Sequence, residues 1–558
     1  MGFQQKRSIA CVCMLLPLML CFFRATAMVQ VKPKEKPNIL VILADDMGYA
    51  DIGCYGSEIH TPNLDQLAAT GIRFREFYNG ARCCPSRASL ISGLYAHQTG
   101  IGHMTNDPED STSFQYHLPA YQGSLNFNCV TIAEVLKSAG YQTLMSGKWH
   151  LGYHDKNKWP LQRGFDKYFG ILAGAANYFH PTGGRGLTLL NEQVEPKGDH
   201  FYITDAFTDY AIQFIKEHKE QNEQPFFLYL AYTSPHWPLN ALQADIKKYR
   251  GKYKQGWSAL RKERFERMKQ LGVLPADAIL TPDDGADWDK LSPEKQDEMD
   301  YRMAIYAAQI DRMDQNIGRV IETLKASGEL DNTVIFFLSD NGACAEGGIL
   351  GAGKKALLGT EGGYFLNYGQ SWANASNTPF KKYKHWVHEG GIGTPLIVHW
   401  PDGIPTVETG KFANQYGFLP DIMATIVDVS GASYPLHYKG NAISPMEGKS
   451  LLPVIRGKEE PIHREPIFWE HEGNAAVRLG NLKLVKEYHP SGESHWELYD
   501  LAQDRSEMHD LAADMPDQVR AMSEAYNQWA ARVGVVSFDK ISAIIKQKQL
   551  DKQQKKQH

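Results

Sequence analysis

Two acidic pairs in this chain stand where a hard metal ion could be held. Asn38-Ile39-Leu40-Val41-Ile42-Leu43 runs into Asp45-Asp46, and Val334-Ile335-Phe336-Phe337-Leu338 runs into Asp340-Asn341. Three carboxylates and an amide carbonyl are oxygen donors that suit Ca²⁺, or Mg²⁺ with retained waters, and not a soft metal. Either pair alone reads as an Asx turn or a helix cap. Two pairs at equivalent strand ends read as ligands. Basic residues close two further apolar runs: Tyr141-Gln142-Thr143-Leu144-Met145 leads to Lys148 and His150, and Phe226-Phe227-Leu228-Tyr229-Leu230 leads towards His236. The remaining reactive group is a thiol, Cys83, in Cys83-Cys84-Pro85-Ser86-Arg87.

These residues need a scaffold that brings strand ends together. Near-continuous apolar runs, rich in β-branched and aromatic residues, read as central strands covered on both faces. Between them lie helical patterns. From Ser292-Pro293, an N-cap and first-turn pair, a long helix continues to Gly328, with Met303, Tyr306, Ile310, Met313, Ile317, Val320 and Leu324 as its apolar stripe. Strands alternating with helices predict an α/β sandwich around a large, mostly parallel sheet, in which ligands sit beyond the carboxyl ends of the strands. Residues 28–440 form the expected catalytic domain, 441–466 a turn-rich connector, and 467–535 a smaller antiparallel sheet with one helix. The polar tail, 536–558, reads as a frayed helix or disorder.

Bulk properties bound the function. The chain has 558 residues, 43% hydrophobic and 22% charged, the composition of an ordinary globular protein. A net charge of −5 gives no overall field for nucleic acid, so any anion site must be local. Lys6 and Arg7, the apolar run from Ile9 to Phe23 and Ala25-Thr26-Ala27 read as an export signal over residues 1–27, cleaved after Ala27. That predicts an exported protein, periplasmic or secreted, with no stable membrane insertion after cleavage. Of eight cysteines, Cys11, Cys13 and Cys21 leave with the signal; Cys54, Cys83, Cys84, Cys129 and Cys344 stay, an odd set without Cys-x-x-Cys pairs. This is neither a disulfide framework nor a zinc ribbon.

Cys83-Cys84-Pro85-Ser86-Arg87, continued by Ala88-Ser89-Leu90-Ile91-Ser92-Gly93, resembles the maturation signature of type I sulfatases. Asp45-Asp46-Met47-Gly48, Gly147-Lys148-Trp149-His150-Leu151-Gly152, Ser234-Pro235-His236-Trp237-Pro238 and Ser339-Asp340-Asn341-Gly342 resemble further segments of that family, in its order. Lys384, ahead of Glu389-Gly390-Gly391, occupies the position of its late lysine. The resemblance spans about 37–401 and points to the bacterial arylsulfatase-like branch, within the alkaline phosphatase superfamily. It implies that a formylglycine-generating maturation enzyme converts Cys83 to formylglycine (3-oxoalanine), whose hydrate is the nucleophile. It implies Ca²⁺, or less readily Mg²⁺, on Asp45, Asp46, position 83, Asp340 and Asn341. Arg87 and His150 would orient the hydrate, and Lys148 and Lys384 would bind the sulfuryl oxygens. His236, with Lys384, would protonate the leaving alcohol, and His150 would be the base that regenerates the aldehyde. One departure is visible: Gly164-Phe165-Asp166 leads to Ile171-Leu172-Ala173-Gly174-Ala175, where some relatives carry a serine.

Substrate identity falls to loops. Asn177, Tyr178 and His180, and His471, Glu472 and Asn474, combine rings with polar donors and are the candidates for a sugar. A terminal sulfated galactose or N-acetylgalactosamine of a glycan is the expected substrate, with general aryl sulfate hydrolysis as the alternative. Two further readings stay open: a superfamily phosphodiesterase, which would call for a Ser or Thr nucleophile and extra His ligands, and a silent glycan-binding protein with Cys83 unconverted.

Overall fold

The computed structural model describes residues 1–2, 36–105, 117–221, 224–490 and 492–557. Lys36–His558 forms one compact unit. Apart from its first two residues, the expected signal over 1–27 lies outside the described residues, as do Cys11, Cys13 and Cys21. Among the described residues, no helix is long and apolar enough to cross a membrane.

The large sheet is built from β1 (Asn38–Asp45), β2 (Ile72–Tyr78), β3 (Gln142–Lys148), β4 (Lys167–Ile171), β5 (Leu187–Leu189), β6 (Glu192–Val194), β7 (Phe226–Pro235), β8 (Thr333–Ser339), β9 (Gly393–His399), β10 (Phe412–Ala413) and β11 (Gly417–Phe418). Their order is β10-β2-β9-β8-β1-β7-β3-β4-β5-β6, with β11 also on β2. The central block β8-β1-β7-β3-β4 is parallel throughout. Every residue of β1, β7 and β8 is buried, as strands covered on both faces must be.

Alternation along each strand divides the core in two. Leu40, Ile42, Leu228, Leu230, Ile335 and Phe337 face one layer, with the helices Ile203–Gln221 and Pro293–Ala326. Ile39, Val41, Phe227, Tyr229, Val334 and Phe336 face the other, with the helices Cys83–Ser92, Ile132–Ser138 and Pro420–Ser430. The long helix starts as its sequence predicts: the Ser292 side chain accepts from Lys295 N, Pro293 opens the first turn, and the whole apolar stripe is buried.

A two-stranded ribbon, β12 (His437–Tyr438) and β13 (Asn441–Ala442), precedes the small antiparallel sheet β14 (Ile467–His471), β15 (Asn474–Leu479), β16 (Leu482–Lys486) and β17 (Glu497–Asp500). The helix Pro516–Val533 packs Met522, Tyr526, Trp529 and Val533 on this sheet's core. Segment 441–466, expected as a connector, supplies Ile443, Leu451, Leu452, Val454 and Ile455 to the second core layer. Of the two readings of the tail, the helical one describes it, with its first turns docked and not frayed. It is helical over Phe538–Gln557, and Ile541 is buried with Ala120 and Tyr121, because Phe538, Ile541, Ile544 and Ile545 share one helical face.

One buried ionic knot joins the small sheet to the large one. Lys483 on β16 reaches Glu389 and Glu507 at 2.9 Å each, and Glu389 also accepts from Arg505 Nε at 2.9 Å and from the Tyr78 hydroxyl at 3.1 Å. Burial works against the ionised Glu389, yet Lys483 and Arg505 hold it down at about 2, from an ordinary 4.5. A depressed carboxylate stabilises the fold above its unfolded value, so this contribution fades as pH falls from 4.5 towards 2. Lys483→Met takes the paired cation from buried Glu507 and leaves Glu389 with Arg505 alone, and should cost about 3–5 kcal/mol in urea unfolding at neutral pH. An unchanged midpoint would show that the knot contributes nothing.

Candidate active site

Four adjacent parallel strands, β8, β1, β7 and β3, end at one edge, and the residues just past each end converge there. Asp45 closes β1 and Asp46 follows it at φ 64°, in the left-handed region. Asp340 and Asn341 follow β8, His236 follows β7, and Lys148 closes β3 with His150 beyond it at φ 58°. Non-glycine residues at positive φ cost roughly 1–3 kcal/mol each and persist where the surroundings over-determine them. Close strand approach is enforced as well. A β-carbon at Gly147 would stand 1.9 Å from Ala231 O, so β3 can meet β7 only with glycine there.

The side chains form one charge-paired cluster. Lys148 Nζ donates to Asp45 Oδ1 at 2.9 Å and Oδ2 at 2.7 Å. Lys384 Nζ donates to Asp46 Oδ2 at 2.8 Å, and Asn341 Nδ2 donates to Asp46 Oδ1 at 2.7 Å. Arg87 donates Nε and a terminal N–H to Asp340 Oδ2 at 2.9 and 2.8 Å, and its other terminal nitrogen to Lys148 O at 3.1 Å. His236 Nδ1–H donates to Trp237 O at 2.6 Å, which leaves Nε2 facing Asp46 Oδ2 at 3.4 Å. Cys83 opens the fully buried helix Cys83–Ser92, within the fields of Lys148, Lys384, Asp340 and Asp45.

Protonation follows from this environment. Burial pushes the Cys83 thiol up despite Lys148 and Lys384, so an unconverted Cys83 is a neutral thiol and a poor nucleophile. Burial and the neighbouring Lys148 and Arg87 drive His150 well below its usual value, leaving a neutral imidazole. His236 is lowered to about 4, by burial first, with Asp46 pulling the other way. Asp340 is pushed up to about 7 by burial and by Asp45, although Arg87 and Lys148 oppose this.

A hard divalent cation fits these residues. The Asn341 Oδ1 atom is buried with no hydrogen-bond partner, although its amide nitrogen is doubly used. The raised Asp340 marks a place where more positive charge is needed. Ligand atoms of Asp45, Asp46 and His236 lie within 4.8 Å of one another. Carboxylate and amide oxygens are what Ca²⁺ and Mg²⁺ take.

The structure treats the expected substrate residues differently. Tyr178 is fully buried, and its hydroxyl donates to Thr233 O and His236 O at 2.8 and 2.9 Å. Asn177 caps its own turn and ties down Glu361 O and Gly363 O. Tyr178 steadies the His236 turn, and partly buried Asn177 steadies the 361–365 loop. His180 is exposed and pairs with Glu361. His471 and Asn474 are buried, and only Glu472 of that trio is partly open. Sequence reasoning missed Glu346, which accepts from Trp237 Nε1 at 2.8 Å and pairs with Arg82 at 3.1 Å. Chiefly through Lys384, it is lowered to about 2. It also missed the aromatic group of Trp237 against Tyr364 and the half-exposed Phe365, with ring centroids 5.2 and 4.7 Å apart.

Comparison with known proteins follows the same residues. The family model described as Sulfatase matches 37–432, and the one described as N-sulphoglucosamine sulphohydrolase, C-terminal, matches 380–529. An uncharacterized sulfatase of Schizosaccharomyces pombe is 36% identical, over 90% of this chain and 95% of its own. An arylsulfatase of Klebsiella aerogenes is 35% identical, over 76% of this chain and 93% of its own. The crystal structure of Ps i-CgsB in complex with k-i-k-neocarrahexaose is 26% identical, with a TM-score of 0.65, over 89% of this chain and 93% of that one.

Proposed function

We propose that this chain, which belongs to the sulfatase family and is a sulfuric ester hydrolase, removes sulfate from a terminal galactose or N-acetylgalactosamine of sulfated glycans. The observation that carries the reading is the gathering of Arg87, Lys148, Lys384 and His236 with three carboxylates around Cys83. Formylglycine at position 83 would supply the attacking oxygen as its hydrate, and Asp45, Asp46, Asp340 and Asn341 would hold a Ca²⁺ whose charge favours the ionised hydroxyl.

The rest is work for the chain's own side chains. Arg87 is pinned between Asp340 and Lys148 O, which fixes the floor under position 83. Lys148 and Lys384, paired here with Asp45 and Asp46, are the cations available to the sulfuryl oxygens. Trp237 O holds His236 Nδ1–H, so Nε2 is the free ring position, and only the doubly protonated ring, which burial disfavours and Asp46 favours, could hand a proton from it to the leaving oxygen. His150, neutral and with Nδ1 unpartnered, is the base for the second hydroxyl at position 83.

Trp237, Tyr364 and Phe365 offer ring faces beside His236, and Glu346 and Arg82 offer a charged edge, a combination that suits a pyranose with its hydroxyls. The hexaose bound by the similar Ps i-CgsB supports a glycan. The same rings also suit an aryl group, which keeps general arylsulfatase activity as the second reading. Sulfate release from defined galactose and N-acetylgalactosamine sulfates separates the two. Turnover on those sugars with kcat/KM above that for nitrophenyl sulfate is expected. Activity confined to nitrophenyl sulfate would remove the glycan reading.

A further inference from the structure

A second group of metal-type donors lies outside the oxygen-donor cluster, one residue along the chain from Lys384. The two-residue turn between β14 and β15 carries Glu472 at φ 49° and Gly473 at φ 83°, and it lays His471 and Glu472 against His385 and His103. His385 Nδ1 is 3.0 Å from Glu472 Oε2, and Nε2 of both His471 and His103 lies 3.6 Å from Glu472 Oε1. Ligand atoms of His385, His471 and Glu472 all lie within 4.8 Å of one another.

Two further observations point to a ligand. His471 has no solvent exposure, and neither of its ring nitrogens has a hydrogen-bond partner. Leaving such a group unsatisfied costs about 1–3 kcal/mol. His103 donates Nδ1–H to Met104 O at 2.7 Å, which turns its Nε2 lone pair to the cluster, the outer hydrogen bond that metal-binding histidines characteristically make. His385, at φ 95°, is the third residue of the turn Tyr383–Trp386, closed by Trp386 N–H to Tyr383 O at 3.0 Å; its own N–H donates to Ala81 O at 2.7 Å, and its Nδ1 faces Glu472.

Two imidazoles and one carboxylate form a borderline donor set, suited to Zn²⁺ and poorly suited to Ca²⁺. We propose that His385, His471 and Glu472 form a transition-metal site of the Zn²⁺ class, with His103 beside Glu472 at its edge, separate from the cluster of Asp45, Asp46, Asp340 and Asn341. Burial drives His471 well below its usual value, so it is a neutral lone-pair donor at pH 7. Without a cation, His385 Nδ1 faces Glu472 Oε2 at 3.0 Å; when Nδ1 takes the ion, the ring proton sits on Nε2 instead, with no net loss from the imidazole. The ion would fasten the β14–β15 turn, which carries His471 and Glu472, to the loop of Lys384, which carries His385.

The test uses the full chain, dialysed against chelator, with Co²⁺ as spectroscopic probe and Zn²⁺ in calorimetry. One equivalent of Co²⁺ should give the intense visible bands of low-coordinate, nitrogen-ligated Co²⁺, and Zn²⁺ should abolish them. Glu472→Gln and His385→Ala should each weaken Zn²⁺ binding by at least about 10–100-fold, while Asp340→Asn leaves the bands in place. Buried His471 is left intact, and both variants are checked in chelator for a parental urea midpoint. The proposal is overturned if no bands form, if they survive both substitutions, or if only Asp340→Asn removes them. A merely hydrogen-bonded cluster gives the first of these results.

Discussion

Cys83→Ala should abolish sulfate-ester hydrolysis, a loss of about 10⁴–10⁶ in kcat, the scale seen when a nucleophile is deleted. The fold should barely respond. Losing one buried sulfur costs about 1 kcal/mol, and Cys83 bonds no backbone group beyond its helix. The physical reason lies in the thiol itself. Burial outweighs Lys148 and Lys384 and keeps it protonated, so an unconverted Cys83 has no means of attacking sulfur at neutral pH. Mass spectrometry of the peptide spanning Cys83 from active protein should read about 18 Da below the cysteine form, the change for thiol-to-aldehyde oxidation. Cys83→Ser sharpens the result. A serine can take the sulfuryl group once but has no second hydroxyl to expel it, so alcohol release should stop near one equivalent per chain. Full turnover by the serine form, or an intact thiol in active parent protein, would overturn the formylglycine assignment.

Much of this site is legible in the sequence because strand ends are legible. β1, β7 and β8 each hold a long apolar run, which only a sheet covered on both faces can use, and the first charged residues after each run are Asp45-Asp46, His236 and Asp340 with Asn341. Parallel pairing then carries them to one edge without further information. What could not be read depends on contacts between distant segments. Asn177-Tyr178-Phe179-His180 has the composition of an exposed binding loop, yet the Tyr178 hydroxyl turns inward to Thr233 O and His236 O. Glu346 lies in a glycine-rich stretch with no period, and its role appears only when Trp237, Arg82 and Lys384 surround it. The tail misled for a simpler reason. Average polarity is a poor guide when four apolar residues on one face suffice to dock the first two turns.

The three carboxylates explain why the cations are held so rigidly. Asp45, Asp46 and Asp340 are fully buried, and each is met by a Lys or Arg at 2.9 Å or closer. Three such pairs are near neutral as a set, so a divalent cation added at Asn341 Oδ1 tips the whole cluster positive. Only then does the site favour a sulfate ester over water. Removing one member of a buried pair is therefore costly twice, in folding and in anion binding.

His236→Ala separates acid catalysis from that general electrostatic pull. A sugar hydroxylate is a poor leaving group and needs a proton as the S–O bond breaks; nitrophenolate leaves without one. The Nε2 atom of the protonated His236 ring, a form Asp46 favours, is the donor placed for this, since Nδ1 is committed to Trp237 O at 2.6 Å. Loss of the imidazole should lower kcat on galactose or N-acetylgalactosamine sulfates by about 10²–10⁴, the usual range for a general acid. On 4-nitrophenyl sulfate the same substitution should cost less than about tenfold, because only the proton transfer has been removed. Across aryl sulfates of rising leaving-group pKa, the variant should show a steeper decline in kcat/KM than the parent. A uniform loss on every substrate would mean that His236 acts by holding Asp46, 3.4 Å away, and that Lys384 supplies the proton instead.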